Sequence, residues 1–306
     1  LLPVVAAGRA LALVSAGGVT NWVKLPDPWR TRQPIKVGVL ADGGYAVQFS
    51  SQPGRRRQPN FDVLLVTSTG RVHGLTAAAR LIQDRGGAVW LVAHGAGNAP
   101  GTVRRITGVG EPGTPPLTLP PGQTAHFAST AGLVLAPRFE DGAVEVRRPG
   151  PGWPLAGRIT PRGRPLAAGG DTVVWAPCGG CPLYATTIGT SRTSALQLPP
   201  TAGNPISGVQ VAPDGRSFAT VAGTADGKAT LVIGEVFGAR RATTDLPLMV
   251  TPLLRYVGPE ALIGHDGQRL LSVRFSFRRR GADGVGEVEL TGLDSGVPGL
   301  RDIAVR

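Results

Sequence analysis

The chain has 306 residues, 42% of them hydrophobic and 17% charged, which is material for two domains or for one large all-β domain with a sizeable core. Gly 45 and Pro 28 point to a chain rich in turns, and no apolar run approaches the ~18 residues of a membrane-spanning helix, so coiled coil, disordered tail and transmembrane segment are all disfavoured. Lys+Arg 32 against Asp+Glu 20 gives a net charge of +12 and favours anionic partners. Lys24, Lys36 and Lys228 are the only lysines, however, so part of that charge is the arginine usage of a GC-rich genome.

The chain opens on Leu1, Leu2 and Pro3, and its first fourteen residues are apolar but interrupted by Pro3, Gly8 and Arg9. With no basic region in front, they do not read as a signal peptide. The expectation is that a leading segment carrying a signal or an anchor has been removed.

From here a phrase recurs: an apolar strand, a turn with Gly or Asp-Gly, and a second apolar strand. It occupies residues 4–14, 37–49, 81–92, 127–135, 165–175, 209–221 and 253–263, with turn glycines at Gly8, Gly43, Gly86, Gly132, Gly170, Gly215 and Gly258. The spacing averages about 42 residues, the period of a propeller blade. Each copy is followed by a third strand, such as 61–66 or 229–236, and usually by a fourth. A sheet of four short strands cannot bury both of its faces alone, so neighbours must stack around an axis. The sequence therefore predicts an all-β, single seven-bladed β-propeller of four-stranded antiparallel blades, with six or eight blades as alternatives. The blades are placed at 1–33, 34–77, 78–122, 123–162, 163–203, 204–249 and 250–295. Residues 296–306 carry one strand too many and are expected to complete the short first blade. Residues 75–80, Leu-Thr-Ala-Ala-Ala-Arg, are the best helix candidate, a turn or two at most.

The sixth copy, Val211-Ala-Pro-Asp-Gly-Arg-Ser-Phe-Ala219, resembles the strand-turn-strand signature of TolB-like and WD-repeat-like propellers, with Ala212 in place of the usual serine and without the Trp-Asp dipeptide of true WD repeats. It also looks like the C-terminal propeller of actinobacterial envelope lipoproteins of the LpqB type. The resemblance implies an extracytoplasmic interaction module.

Loops joining second to third strands share a face with the connections between blades, where ligands usually sit. That face is expected to receive Arg55, Arg56 and Arg57, which could fork onto phosphate or carboxylate or simply tip a solvated loop, together with His94 and His265. It also receives the Pro-Cys-Gly-Gly-Cys-Pro run of Cys178 and Cys181. As the only cysteines, spaced for a tight hairpin, these read first as a local disulfide in an exported protein, with thiol redox chemistry or half a zinc site as alternatives. Trp90 and Trp175, at equivalent second-strand positions, are expected to pack between blades.

Gly108-Val-Gly-Glu-Pro-Gly113 matches a dinucleotide fingerprint in letters but leads into Thr-Pro-Pro rather than a helix, so it lacks the helix N-terminus that a pyrophosphate needs. No Gly-x-Ser-x-Gly elbow is present. Asp42, Asp84, Asp171, Asp214 and Asp266 mostly fall in hairpin turns, although Asp84, Glu140, Asp141 and Asp266 could meet at a channel mouth and hold a divalent cation. Arg278, Arg279 and Arg280 fall on the opposite face from Arg55, Arg56 and Arg57, and aromatic residues are only 5%, too few to interleave a nucleic-acid surface. The expected function is a non-catalytic, extracytoplasmic binding or scaffold module without cofactor or metal. Its expected partner is another envelope protein or an anionic envelope polymer. The alternative is a hydrolase or lyase at the channel mouth, with or without a metal.

Overall fold

The structure, a computed structural model, describes residues 2–6, 10–15, 18–25, 34–49, 61–78, 80–84, 86–95, 99–111, 113–138, 141–198, 207–223, 229–246, 253–265, 270–277, 287–293 and 300–303. Among these the fold is all-β, with 27 strands and no helix. The chain divides into two compact units: Leu1–Ala128 with Pro149–Trp153 and Asp294–Arg306, and Ser129–Arg148 with Pro154–Leu293.

The first unit contains three four-stranded antiparallel sheets. One combines β1 (Leu2–Ala6), β2 (Ala10–Ser15) and β3 (Gly18–Lys24) with the last strand of the chain, β27 (Leu300–Ile303), in the order β27-β1-β2-β3. Val4 lies opposite Ile303 and Val5 opposite Asp302, so the two ends of the chain share one ladder. The next sheet holds β4 (Pro34–Val39), β5 (Tyr45–Phe49), β6 (Phe61–Val66) and β7 (Val72–Ala78), and the third holds β8 (Arg80–Asp84), β9 (Ala88–Ala93), β10 (Thr102–Ile106) and β11 (Leu117–Thr118). β12 (Gln123–Ser129) follows.

The second unit runs through β13 (Gly132–Pro137), β14 (Gly142–Arg147), β15 (Leu155–Gly169), β16 (Thr172–Ala176), β17 (Tyr184–Thr187) and β18 (Thr193–Ala195), hydrogen-bonded in that order. The long β15 serves two partners in turn: Leu155 to Gly163 pair with β14, and Arg164 to Gly169 with β16. Two four-stranded sheets complete the unit, β19 (Ser207–Val211) to β22 (Arg241–Leu246) by way of β20 (Ser217–Gly223) and β21 (Ala229–Glu235), and β23 (Leu253–Gly258) to β26 (Glu287–Leu293) by way of β24 (Ala261–His265) and β25 (Leu270–Ser276).

Side chains alternate across a strand, and here both faces are buried. Ala46 and Val63 join Leu81, Val89 and Leu91 of the following sheet, while their neighbours Val47 and Leu64 turn the other way, onto Leu11, Val23 and Leu25. The second unit repeats the device. Phe218 and Val232 pack with Val174 and Ala185, whereas Ala219, Leu231 and Ile233 pack with Leu254, Leu262 and Val273. This two-sided burial explains why these strands read as near-continuous apolar runs rather than as alternating ones.

The helix expected at 75–80 is absent. Residues 72–78 form β7, paired residue by residue with β6 from Phe61↔Ala78 to Leu65↔Gly74, and Arg80 already belongs to β8. Alanine's helix preference is a weak bias; the unpaired edge of β6 offers a ladder of backbone hydrogen bonds that overrides it.

First strands of the sheets also need their free edges satisfied, and side-chain amides do this. Gln83 of β8 accepts the Val39 N–H at 2.8 Å and donates to the Val39 carbonyl at 3.1 Å, taking the place of a paired strand, and it also donates to the Ala88 carbonyl at 3.0 Å. Buried Gln48 of β5 likewise accepts the Leu81 N–H at 3.1 Å. Replacing Gln83 with methionine keeps the bulk but strands these backbone groups, and is expected to cost about 2–3 kcal/mol. Urea unfolding checks this, and a loss below about 0.5 kcal/mol would contradict it.

Candidate functional site

Two clefts lie among the described residues at one end of the sheet β19–β22. Two turns meet there. The β19–β20 turn is closed by Ala212 N–H to Ser217 O at 2.8 Å and Gly215 N–H to Ala212 O at 2.9 Å, with Asp214 Oδ1 accepting the Arg216 N–H at 3.0 Å. Gly215 has φ +76°, and a Cβ there would sit 2.9 Å from Thr172 Oγ1, so the position demands glycine on both counts. The Thr172 hydroxyl donates to the Gly215 carbonyl at 3.0 Å and ties this turn to the preceding sheet. The β21–β22 turn is joined to it by Val236 N–H to Arg216 O at 2.9 Å.

On either side of this ridge lies a cleft. The first, about 380 Å³, is walled by Asp171, Thr172 and Thr187 on one side and by Phe237 and Gly238 on the other. The second, about 580 Å³, reaches Arg240, Pro259, Glu260 and the Phe275–Phe277 segment. Asp214, Arg216 and Glu235 line both.

An arginine–aromatic stack stands at each cleft, with Arg192 over the Phe237 ring at 4.8 Å and Arg240 over the Phe277 ring at 5.8 Å. Arg240 also binds the Glu235 carboxylate and the Phe277 carbonyl. Asp171 is engaged by the Thr130 hydroxyl. Among these groups the exposed Arg216 differs: its guanidinium forms no hydrogen bond or ion pair to any described residue. A fork with unused donors, set between two aromatic platforms, suits a planar carboxylate.

Beneath the second cleft, Ser217 Oγ and the Tyr256 hydroxyl lie 3.3 Å apart. Burial pushes the Tyr256 phenol well above its ordinary value, partly offset by the Ser217 hydrogen bond.

This region lies at the end of the sheet where β19 passes to β20 and β21 to β22. Of the nominated residues, Arg55, Arg56, Arg57, Glu140, Asp266 and Arg278, Arg279 and Arg280 lie outside the described residues, as does the side chain of His265, whose backbone pairs with Leu253 and Leu270. His94 follows β9 and is half-buried in the first unit. In the second unit Cys178 and Cys181 form a disulfide across Cα atoms 5.2 Å apart, with the Cys181 N–H donating to the Cys178 carbonyl at 3.3 Å. This stapled loop, largely exposed at Cys178, Gly179 and Gly180, joins β16 to β17.

At its base Trp175 stacks on its cross-strand partner Tyr184, centroids 5.1 Å apart, and donates to Thr186 Oγ1 at 3.0 Å. Trp90 is buried and donates to Asp84 Oδ2 at 3.1 Å, an oxygen that also accepts from Arg105. Asp84 is thus committed to its own sheet and Asp141 pairs with Arg164 at 3.8 Å. Among the described residues no three His, Cys, Asp or Glu side chains gather as a metal site. The fingerprint-like loop runs on toward β11, and its Val109 N–H donates to Asp42 Oδ2 at 2.6 Å, which makes it a structural turn.

No protein-family model and no curated protein matches the sequence. Solved structures match by fold. The chain is similar to a periplasmic gluconolactonase from Pseudomonas aeruginosa, at 13% identity and a TM-score of 0.61 over 99% of this chain and 98% of that one. It is similar to a prolyl endopeptidase at 16% identity and 0.58, over 95% of this chain and 48% of the longer protein, and to the Dos1 propeller at 9% identity and 0.52, over 89% and 81%. The fold is that of the β-propellers. No helix among the described residues is long and apolar enough to cross a membrane.

The Tyr256 shift gives a pH prediction. A phenol whose folded pKa is raised holds its proton longer in the folded than in the unfolded chain, so its contribution is complete below the unfolded value near ~10 and is lost as pH rises beyond it, by up to about 1.4 kcal/mol per pH unit. Alkaline denaturation of Tyr256→Phe should start at higher pH than that of the wild type; coincident curves would contradict the assignment.

Proposed function

We propose that the chain is a non-catalytic, extracytoplasmic propeller module that binds a protein partner through the two clefts flanking Arg216. The observation that carries this reading is the unpaired Arg216 guanidinium on a ridge between two arginine–aromatic stacks. Arginine and aromatic side chains supply most of the binding energy of protein interfaces, and a carboxylate of the partner would complete the fork. The disulfide of Cys178 and Cys181 fits an oxidising compartment, and the TolB-like turn at Asp214, with its likeness to LpqB-type actinobacterial lipoproteins, supports an envelope protein as partner. In this reading the chain keeps its single-domain, seven-repeat organisation, with residues 296–306 belonging to the first blade, and Arg55, Arg56, Arg57, His94 and His265 remain candidate contacts for an anionic envelope polymer.

The reading is tested with a photo-crosslinking side chain placed at Gly238, on the cleft rim, or at exposed Thr243 on β22, in the native host. A discrete adduct from position 238 alone, reduced about tenfold by Arg216→Glu, is expected. Equal adducts from both positions, or none, would contradict it. The enzyme alternative takes its substrate from the gluconolactonase of similar fold: turnover of gluconolactone by the purified chain, unaffected by Arg216→Glu, would replace the binding reading with a catalytic one.

A further inference from the structure

Apart from the clefts, the first unit contains a partly buried cation with no ion pair to any described residue. Arg80 opens β8 with its guanidinium partly buried, and burial lowers its pKa. Its one polar contact among the described residues is Nη1 donating to His126 Nδ1 at 2.9 Å. Because a guanidinium can only donate, Nδ1 must accept, which fixes the imidazole as neutral with its proton on Nε2. Two residues earlier on β12, hence on the same face of the strand, the Thr124 hydroxyl is buried and has no hydrogen-bond partner.

Charges withdrawn from water in folded proteins are paired, because leaving a cation without a partner there is unfavourable. Among the described residues the guanidinium bonds only His126, and the buried Thr124 hydroxyl, two residues from His126 on β12, is also without a partner.

We propose that Arg80, Thr124 and His126 form a binding site for an oxyanion, the carboxylate or phosphate group of a small ligand. The guanidinium supplies a two-pronged donor and the charge, Thr124 a third donor, and His126 holds the guanidinium in place. This site is separate from the clefts at Arg216 and stands or falls without them.

The test follows the thermal midpoint and titration heat of the purified full chain with inorganic phosphate or acetate, against chloride at equal ionic strength. One of the two oxyanions is expected to raise Tm saturably by about 2–4 °C with a matching heat of binding, and which of them does so identifies the group. Arg80→Met should abolish the response, and in chloride it should be no less stable than the wild type, because a partly buried charge with no ion pair to a described residue has been exchanged for an apolar chain of similar length. His126→Gln, which retains an acceptor toward Arg80, should weaken the response without abolishing it, and it serves as the variant if Arg80→Met does not fold. A wild type that responds to neither anion, or an Arg80→Met protein that responds like the wild type, overturns the proposal.

Discussion

Everything in this protein rests on one constraint: a sheet of four short strands has two apolar faces and can cover neither by itself. Phe218 and Ala219 are adjacent in sequence and fully buried, yet they enter different clusters, one shared with the sheet before and one with the sheet after. Val47 and Ala46 do the same in the first unit. No sheet is therefore an independent folding unit, and the unpaired edges left by such stacking need partners of their own. Gln83 and Gln48 supply them with side-chain amides, and β27 does so with a whole strand against β1.

The same stacking shapes the candidate site. Strands twist as they pack, and the turns at one end of neighbouring sheets are held together by hydrogen bonds such as that from Thr172 to Gly215. Gly170 has φ +55°, and a Cβ there would lie 2.9 Å from the backbone of Asp214 and Gly215. Past this contact the surfaces diverge, and the clefts open between them with Asp214 and Arg216 on the shared wall. Rigid turns thus present a charged fork whose position does not depend on a long loop.

The blade rhythm was legible in the sequence because its physical cause is local: an Asp-Gly or Gly-Gly turn needs positive φ, and two-sided burial demands apolar runs on either side of it. Asp214 and Gly215 were read correctly as turn residues for the same reason. The clefts were not legible. Phe237 and Phe277 lie more than twenty residues from Asp214 and become neighbours of the turn only through sheet stacking, which no short-range pattern records. The pairing of Arg80 with His126 spans 46 positions and leaves no sequence signature at all. Arg55, Arg56 and Arg57 stand out in the sequence by charge, whereas the clefts depend on aromatic residues after third strands, the signal that could have marked them.

Native-state hydrogen exchange on Phe218→Ala tests the central constraint most directly. Phe218 lies on β20 but its ring packs against Val174 and Ala185 of the preceding sheet, and its truncation should cost about 3–5 kcal/mol. If sheets derive their stability from one another, exchange must accelerate in β16 and β17 as well as in β20 and β21. Acceleration confined to β19–β22 would show that each sheet is stable by itself and would contradict the account.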